Sequence, residues 1–122
     1  MQITYSHQDK DPIYLQIVKQ IKVQIMNGTL HPNQPLPSMR ALASELRISV
    51  ITSKRAYEEL EKEGFITSVV GKGCFVSSRP VDSIEQEHRR QLNGALDQLV
   101  DAAKALDLDA NDLLSELRKR GL

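Results

Sequence analysis

Four basic side chains surround a predicted helix-turn-helix, and their types and placement suit them to bind phosphate. Lys54 and Arg55 stand side by side near the start of a helix, within the segment LRISVITSKRAYEEL, residues 46–60. Arg47 lies in the tight turn before that helix, and Arg40 lies on the helix before the turn. A helix N-terminus adds unpaired N–H groups and a positive dipole end, which attract anions. The arrangement indicates contact with a polyanion such as a nucleic acid.

An amphipathic helix is the first element predicted to support this region. Asp11 is predicted to cap it and Pro12 to occupy its first position. Isoleucine recurs every four residues along it, at positions 13, 17, 21 and 25, and forms one apolar stripe. Asn27-Gly28 predicts its end, because glycine adopts the left-handed conformation that follows many helices. The next segment, residues 31–37, is proline-rich and is predicted to be a connector with a short extended piece.

Two further helices are predicted, joined by a short turn. Ser38 is a suitable cap for the second helix, which is predicted to end near Leu46. Ser49 is a suitable cap for the third, which is predicted to end near Glu63. These two helices and their turn contain the basic residues described above.

A β-hairpin is predicted after the third helix. Residues 65–70 are rich in β-branched side chains, residues 71–73 form a Gly-Lys-Gly turn, and residues 74–78 return. Helix, helix, turn, helix and hairpin is the order of a winged helix-turn-helix. We therefore predict a mainly α fold with a small β-hairpin, whose winged helix-turn-helix domain covers residues 1–78.

Residues 79–122 are predicted to form a helical dimerisation tail. A long helix, capped by Asp82 or Ser83, precedes a short one capped by Asp109 with Asp112 at its third position. Apolar residues of the long helix alternate spacings of four and three, as in a coiled coil. The tail has no second layer of its own to bury them, so we predict packing against a second copy. The predicted dimer contacts are Leu92, Leu96, Leu99, Ala103, Leu106, Leu113, Leu114 and Leu117.

Composition limits the other possibilities. The 122 residues carry 16 basic and 16 acidic side chains, so the argument for nucleic acid rests on local placement rather than net charge. Cys74 is the only cysteine, which excludes an intramolecular disulfide and suits a reducing cytoplasm. The three histidines lack metal-ligand spacing. We expect a cytoplasmic protein without a cofactor, a metal or membrane association. No nucleophile-base pair or glycine-rich phosphate loop suggests an enzyme.

Three segments together resemble the GntR family of bacterial transcription regulators. They are PIYLQIVKQIKVQIMNGTL, LPSMRALASEL and EELEKEGFITSVVGKGCFV, within residues 12–76. The short helical tail resembles the YtrA-type subfamily, which lacks a large effector domain. The resemblance implies a winged helix-turn-helix that binds double-stranded DNA. The resemblance specifies no small-molecule effector.

The resemblance also implies roles for particular residues. Arg40 of the LPS-x-R motif approaches DNA, Ser49 and Thr52 contact phosphates, and Lys54 faces the groove. The Gly-Lys-Gly turn at residues 71–73 corresponds to the wing tip of the family, which reaches an adjacent groove of the DNA. With the neighbouring residues, the predicted DNA-binding set is Arg40, Arg47, Ser49, Val50, Ile51, Thr52, Lys54, Arg55, Gly71, Lys72 and Gly73.

Several positions depart from the family pattern. Arg47 replaces the usual turn glycine, at a cost of about 1 kcal/mol if the turn is left-handed. Val50 and Ile51 replace arginine and threonine, cannot donate hydrogen bonds, and could offer only apolar contact, for instance to a thymine methyl. Ser53 replaces an apolar residue. The base preference of other members therefore does not transfer.

The leading hypothesis is a homodimeric, sequence-specific DNA-binding regulator, a repressor of a palindromic operator. The alternative is a winged-helix protein-interaction module without DNA binding, which the glutamates at residues 58–63 would favour. Taken alone, Lys54-Arg55 is more often a solvated pair, Arg40 could pair with Glu45, and Gly-Lys-Gly could be only a hairpin turn.

Overall fold

A computed structural model describes the backbone of residues 1–122 and the side chains of all but residue 81. Two compact units are present, Met1–Ile84 and Glu85–Leu122. The predicted fold class is confirmed. In chain order the elements are α1 (Ile13–Met26), α2 (Met39–Leu46), α3 (Val50–Lys62), β1 (Ile66–Val69), β2 (Gly73–Val76), α4 (Val81–Ala105) and α5 (Ala110–Lys119).

The core of the first unit forms where α1, α3 and the hairpin meet. The isoleucine stripe of α1 lies inward: Ile17 and Ile21 are fully buried, and Ile25 nearly so. Tyr57 and Leu60 of α3 are also fully buried. Burying each large apolar side chain contributes roughly 1.5–3 kcal/mol, so this contact is the main support of the unit.

Three of the predicted helix caps are present. The Ser38 and Ser49 side chains accept hydrogen bonds from the N–H groups of Ala41 and Thr52, at 3.0 and 3.1 Å. Asp109 and Asp112 form a reciprocal capping box at the start of α5. These caps are short-range contacts, so residue type and spacing were enough to predict them.

The other two cap predictions were wrong. The cap position of α1 is Pro12, with no side-chain cap, because the Asp11 carboxylate pairs with Lys19 Nζ at 2.6 Å instead. Helix α4 begins at Val81, so Asp82 and Ser83 lie inside its first turn rather than before it.

The hairpin gains a third extended segment from the proline-rich connector. β1 and β2 pair antiparallel, with Ile66 opposite Val76. Pro35 forms an isolated bridge with Phe75, and the Leu36 N–H donates to the Cys74 carbonyl at 2.9 Å. Proline is tolerated at an edge position because no ladder hydrogen bond requires its missing N–H. The predicted extended piece is therefore present.

Residues 1–6 form an extended strap along α1, held by glutamines, which the sequence reasoning did not predict. Gln16 Nε2 donates to the Ser6 carbonyl, and Gln16 Oε1 accepts from the Ser6 N–H, both at 2.9 Å. Gln20 makes the same reciprocal pair with Thr4. Gln24 donates to the carbonyl of residue 2 at 2.8 Å. Side-chain amides one helical turn apart thus hydrogen-bond every second residue of the strap, as a neighbouring strand would.

The second unit buries little of its apolar surface. None of the residues of α5 is buried. Leu99 of α4 and Leu113 and Leu117 of α5 are half-buried and line one hollow of about 310 Å³. Among the described side chains, six large apolar ones of α4, α5 and the link between them remain exposed: Leu92, Leu96, Val100, Leu106, Leu108 and Leu114. The apolar residues of the long helix that were predicted to form one coiled-coil contact are thus divided. Leu99 lines this hollow and Ala103 is buried, whereas the others remain exposed.

Candidate nucleic-acid interface

The turn between α2 and α3 is closed by a left-handed arginine. Arg47 has φ 57° and ψ 47°, the conformation that glycine adopts at no steric cost. Its N–H bonds the Ser44 carbonyl, and the Ile48 N–H bonds the Ala43 carbonyl at 3.0 Å. This is the paired hydrogen-bond pattern of a Schellman motif. The exposed Arg47 side chain is thereby placed just before the start of α3.

The first turn of α3 presents backbone N–H groups to solvent. Ser49 Oγ accepts from the Thr52 N–H and lies 2.8 Å from Thr52 Oγ1. The N–H groups of Val50 and Ile51 have no acceptor within the helix, because no turn precedes them. Both residues are exposed. The N-terminus of α3 therefore offers hydroxyls, N–H donors and the positive end of the helix dipole to an anion.

Two polar side chains anchor α3 to the elements before it. Ser53 is fully buried, and its Oγ donates to the Met39 carbonyl at 2.9 Å. The Tyr57 hydroxyl donates to the Pro37 carbonyl at 2.7 Å, and burial raises the pKa of Tyr57. The serine at position 53, where the family pattern has an apolar residue, thus has a structural role. The sequence alone did not reveal its acceptor.

The predicted DNA-binding residues fall into two groups on the first unit. One group lies on α2, the turn and the first half of α3; the other lies at the wing tip. With the exception of Thr52, which is half-buried, all of them are exposed: Arg40, Arg47, Ser49, Val50, Ile51, Lys54, Arg55, Gly71, Lys72 and Gly73.

Arg55 has a partner on α1. Its guanidinium carbon lies 3.9 Å from the centre of the Tyr14 ring, and Nη2 donates to the Tyr14 hydroxyl at 3.2 Å. Cation–π stacking of this kind is worth roughly 0.5–1 kcal/mol at an exposed site. The stack fixes the plane of the guanidinium and leaves its other N–H donors available. Tyr14 is therefore a residue of this surface that the sequence reasoning missed, since the pair is 41 positions apart.

The wing tip projects from the hairpin. Gly71 and Gly73 have φ of 77° and 103°, and the Lys72 N–H closes the turn on the Val69 carbonyl at 3.0 Å. The base of the wing is tied to the other half of α3, where Ser68 Oγ donates to Glu61 Oε2 at 3.2 Å. The two groups of predicted residues are thus carried on separate elements.

A buried ion pair joins α1 to the end of α3. Lys22 is 7% exposed, and its Nζ lies 2.6 Å from Glu63 Oε2 and 5.5 Å from the centre of the Phe65 ring. The pair lies far along α3 from the first turn, so its role is to hold the element rather than to meet a ligand.

Metal and membrane features are not evident in the part of the chain that the structure describes. Its described residues contain no group of three or more His, Cys, Asp or Glu side chains placed to hold a metal ion. None of the described helices is long and apolar enough to cross a bilayer.

The fold and this surface define the class of the protein: a winged helix-turn-helix regulator with a helical tail. Residues 13–76 match the family described as "Bacterial regulatory proteins, gntR family". The chain belongs to this family, and the predicted membership is confirmed.

Relatives that are named as transcriptional repressors support the same class of protein. The chain is 32% identical over 108 residues to the transcriptional repressor YtrA of Bacillus subtilis, covering 88% of this chain and 78% of YtrA. This agrees with a YtrA-type tail. It is 43% identical over 75 residues to the repressor NagR of the same organism, covering 62% of this chain but only 31% of NagR. These relatives are regulators by name, not enzymes.

A solved structure resembles the first unit. It is the DNA-binding domain of AraR in complex with operator ORX1. The two chains share 26% identity and a TM-score of 0.56, over 63% of this chain and 96% of the AraR domain.

Proposed function

We propose that this protein binds double-stranded DNA in a sequence-specific manner and represses transcription as a homodimer. The observation that carries the proposal is the start of α3, which presents backbone N–H groups without a helical acceptor beside exposed basic side chains. The AraR domain was solved with an operator, and YtrA and NagR are named repressors. These likenesses support the proposal for this chain.

Charge placement restricts the contact to one half of α3. Lys54 and Arg55 lie near the helix start, with Arg47 before it. The exposed Glu58 and Glu61 lie further along and would repel phosphates. We therefore infer that α3 enters the major groove by its N-terminal half, and that Lys72 of the wing meets the backbone of a neighbouring groove.

A salt series with single variants tests this proposal. Lys54→Ala should cost ~1–3 kcal/mol per half-site on a selected duplex and less on random duplex, if Lys54 contacts a base. Lys72→Ala should weaken both duplexes alike and reduce the salt slope by about one per site. Lys62→Ala is the matched control, because this exposed lysine lies on α3 but outside the proposed surface. Duplex affinity that changes neither with salt nor with Lys54→Ala and Lys72→Ala would contradict the proposal.

The glutamates of α3 keep a second function open, a protein-interaction module. Glu58 and Glu61 are exposed on the same helix as the basic residues. Such a module would not show salt-dependent affinity for duplex DNA, so the same titration discriminates between the two functions.

The tail supports the homodimer. Several of its leucines, among them Leu92, Leu96 and Leu114, are exposed in the single chain, and α5 contains no buried residue. The hollow beside Leu99 has room for apolar side chains from outside. A second copy of residues 79–122 would cover this surface in the manner of a helical bundle. We therefore propose residues 1–78 as the DNA-binding part and residues 79–122 as the dimerisation part.

Sedimentation of the intact chain tests the dimer. Leu96→Glu would place a charge within the proposed interface and should convert the dimer to a monomer with unchanged helix content. Val23→Glu, at an exposed valine of α1, should leave the dimer intact. A Leu96→Glu protein that remains dimeric would refute the proposed interface.

The dimer also predicts the form of the operator. A two-fold protein binds a palindrome, with half-sites about one helical turn, ~10 base pairs, apart. Selection from random duplexes should recover such a palindrome, and recovery of single half-sites would contradict it.

A further inference from the structure

The outermost side chain of α3's first turn is an isoleucine. Ile51 is 80% exposed, and the neighbouring Val50 is 46% exposed. At 3.6 residues per turn, Ile51 lies almost directly opposite the buried face of α3, which is formed by Ser53, Ala56, Tyr57 and Leu60. Ile51 therefore supports no part of the core, and its apolar surface faces outward where α3 is proposed to meet DNA.

The polar side chains beside Ile51 already have partners within the protein. Lys54 Nζ lies 3.8 Å from Glu58 Oε1, and the Arg55 guanidinium stacks on Tyr14. Both cations still attract phosphate, but each must leave or share a partner to reach a base. Ile51, Arg55 and Tyr14 also border one hollow of about 290 Å³ between α1 and α3. Val50 and Ile51 thus form an apolar part of this surface that can make contact without breaking a side-chain interaction.

We propose that Ile51, flanked by Val50, recognises the 5-methyl group of thymine in the major groove. The proposal rests on the DNA-binding function proposed above. Among the base edges of the major groove, the thymine methyl is the apolar group that a side chain can contact. Every half-site then carries a thymine beneath the first turn of α3. Affinity at that position comes from excluding water between two apolar groups rather than from a hydrogen bond.

Replacing thymine with uracil tests this proposal directly. Duplexes are first selected from a random library with the intact protein, and each thymine is then replaced in turn by deoxyuridine. The replacement removes the methyl group and keeps the base pair and its hydrogen-bonding atoms. We expect binding to weaken about fourfold at one position per half-site, which corresponds to ~0.8 kcal/mol for one buried methyl-sized group.

Two variants link the effect to Ile51. Ile51→Ala should bind the thymine and uracil duplexes equally, whereas Val23→Ala, at the exposed valine of α1, should keep the preference. Thermal melting checks that Ile51→Ala folds, as expected for an exposed position. A methyl effect that persists undiminished in Ile51→Ala would arise from a neighbour such as Val50 or from DNA shape, and would overturn the assignment to Ile51.

The outcomes separate this proposal from the function on which it rests. A selected duplex that is bound with salt-dependent affinity but tolerates uracil at every position refutes only the thymine contact. Failure to enrich any duplex refutes DNA binding, and the thymine contact with it. Selected half-sites that lack a thymine at the α3 position also refute the contact.

Discussion

Relieving the left-handed conformation of Arg47 should stabilise the protein while weakening its hold on DNA. A non-glycine residue in this conformation costs roughly 1–2 kcal/mol. Glycine removes that cost but adds freedom to the unfolded chain, worth about 0.4–1 kcal/mol. The difference favours glycine by about 0.5–1 kcal/mol at this position.

Comparing Arg47→Gly with Arg47→Ala isolates the backbone contribution. Both variants lack the guanidinium, but only glycine relieves the φ of 57°. Denaturant unfolding at one protein concentration should place Arg47→Gly above Arg47→Ala by that amount, with equal denaturant slopes. If Arg47 contacts phosphate as proposed, both variants should lose duplex affinity equally. The reasoning fails if Arg47→Ala is the more stable of the two, or if Arg47→Gly binds duplex as tightly as the unmodified protein.

Three further predictions concern stability. Lys22→Ala should destabilise the protein by about 1–3 kcal/mol, because it removes the ion-pair partner of the largely buried Glu63 carboxylate. The double variant Lys22→Met/Glu63→Met, which removes both charges and keeps apolar volume over the Phe65 ring, should cost much less; denaturant melts compare the two. Burial raises the pKa of Tyr57. The contribution of this tyrosine to stability is therefore complete below pH ~10, the ordinary tyrosine pKa, and is lost as the pH rises beyond it. Tyr57→Phe should remove that alkaline loss of stability in melts above pH ~10. The backbone N–H of Asp112 lowers the pKa of Asp109, so the cap stabilises α5 above pH ~4 and fails as the pH falls further; Asp109→Asn should flatten that acid response in circular dichroism.

Local chemistry explains which features could be predicted from the sequence. Ser38, Ser49 and Asp109 cap their helices through atoms three residues away, so type and spacing determine the outcome. The left-handed turn at Arg47 and the hairpin glycines follow from the same short-range rules.

The features that were missed depend on contacts distant in sequence. Asp11 fails to cap α1 because Lys19 captures its carboxylate. Arg55 is held by Tyr14, on a different helix, and Ser53 finds its acceptor at Met39, on another. No local pattern reveals such partners, because each depends on how the elements pack. The exposure of Ile51 is an intermediate case, since the helical period indicated an outward position and the structure supplied its extent.

The four-residue spacing of the glutamines on α1 also limits how many of them can hydrogen-bond the extended strap in succession. Four residues of helix advance ~6.0 Å, whereas two residues of an extended strand advance ~6.7 Å. Each successive glutamine is therefore displaced by roughly 0.7 Å more from its backbone partner in the strap. Three flexible amide side chains can absorb this displacement, but a longer series could not. One further turn in either direction reaches Pro12 or Gly28, neither of which has an amide side chain. Because the helical and extended repeats differ in length, this row of amide hydrogen bonds stays in register for about three pairs and no further.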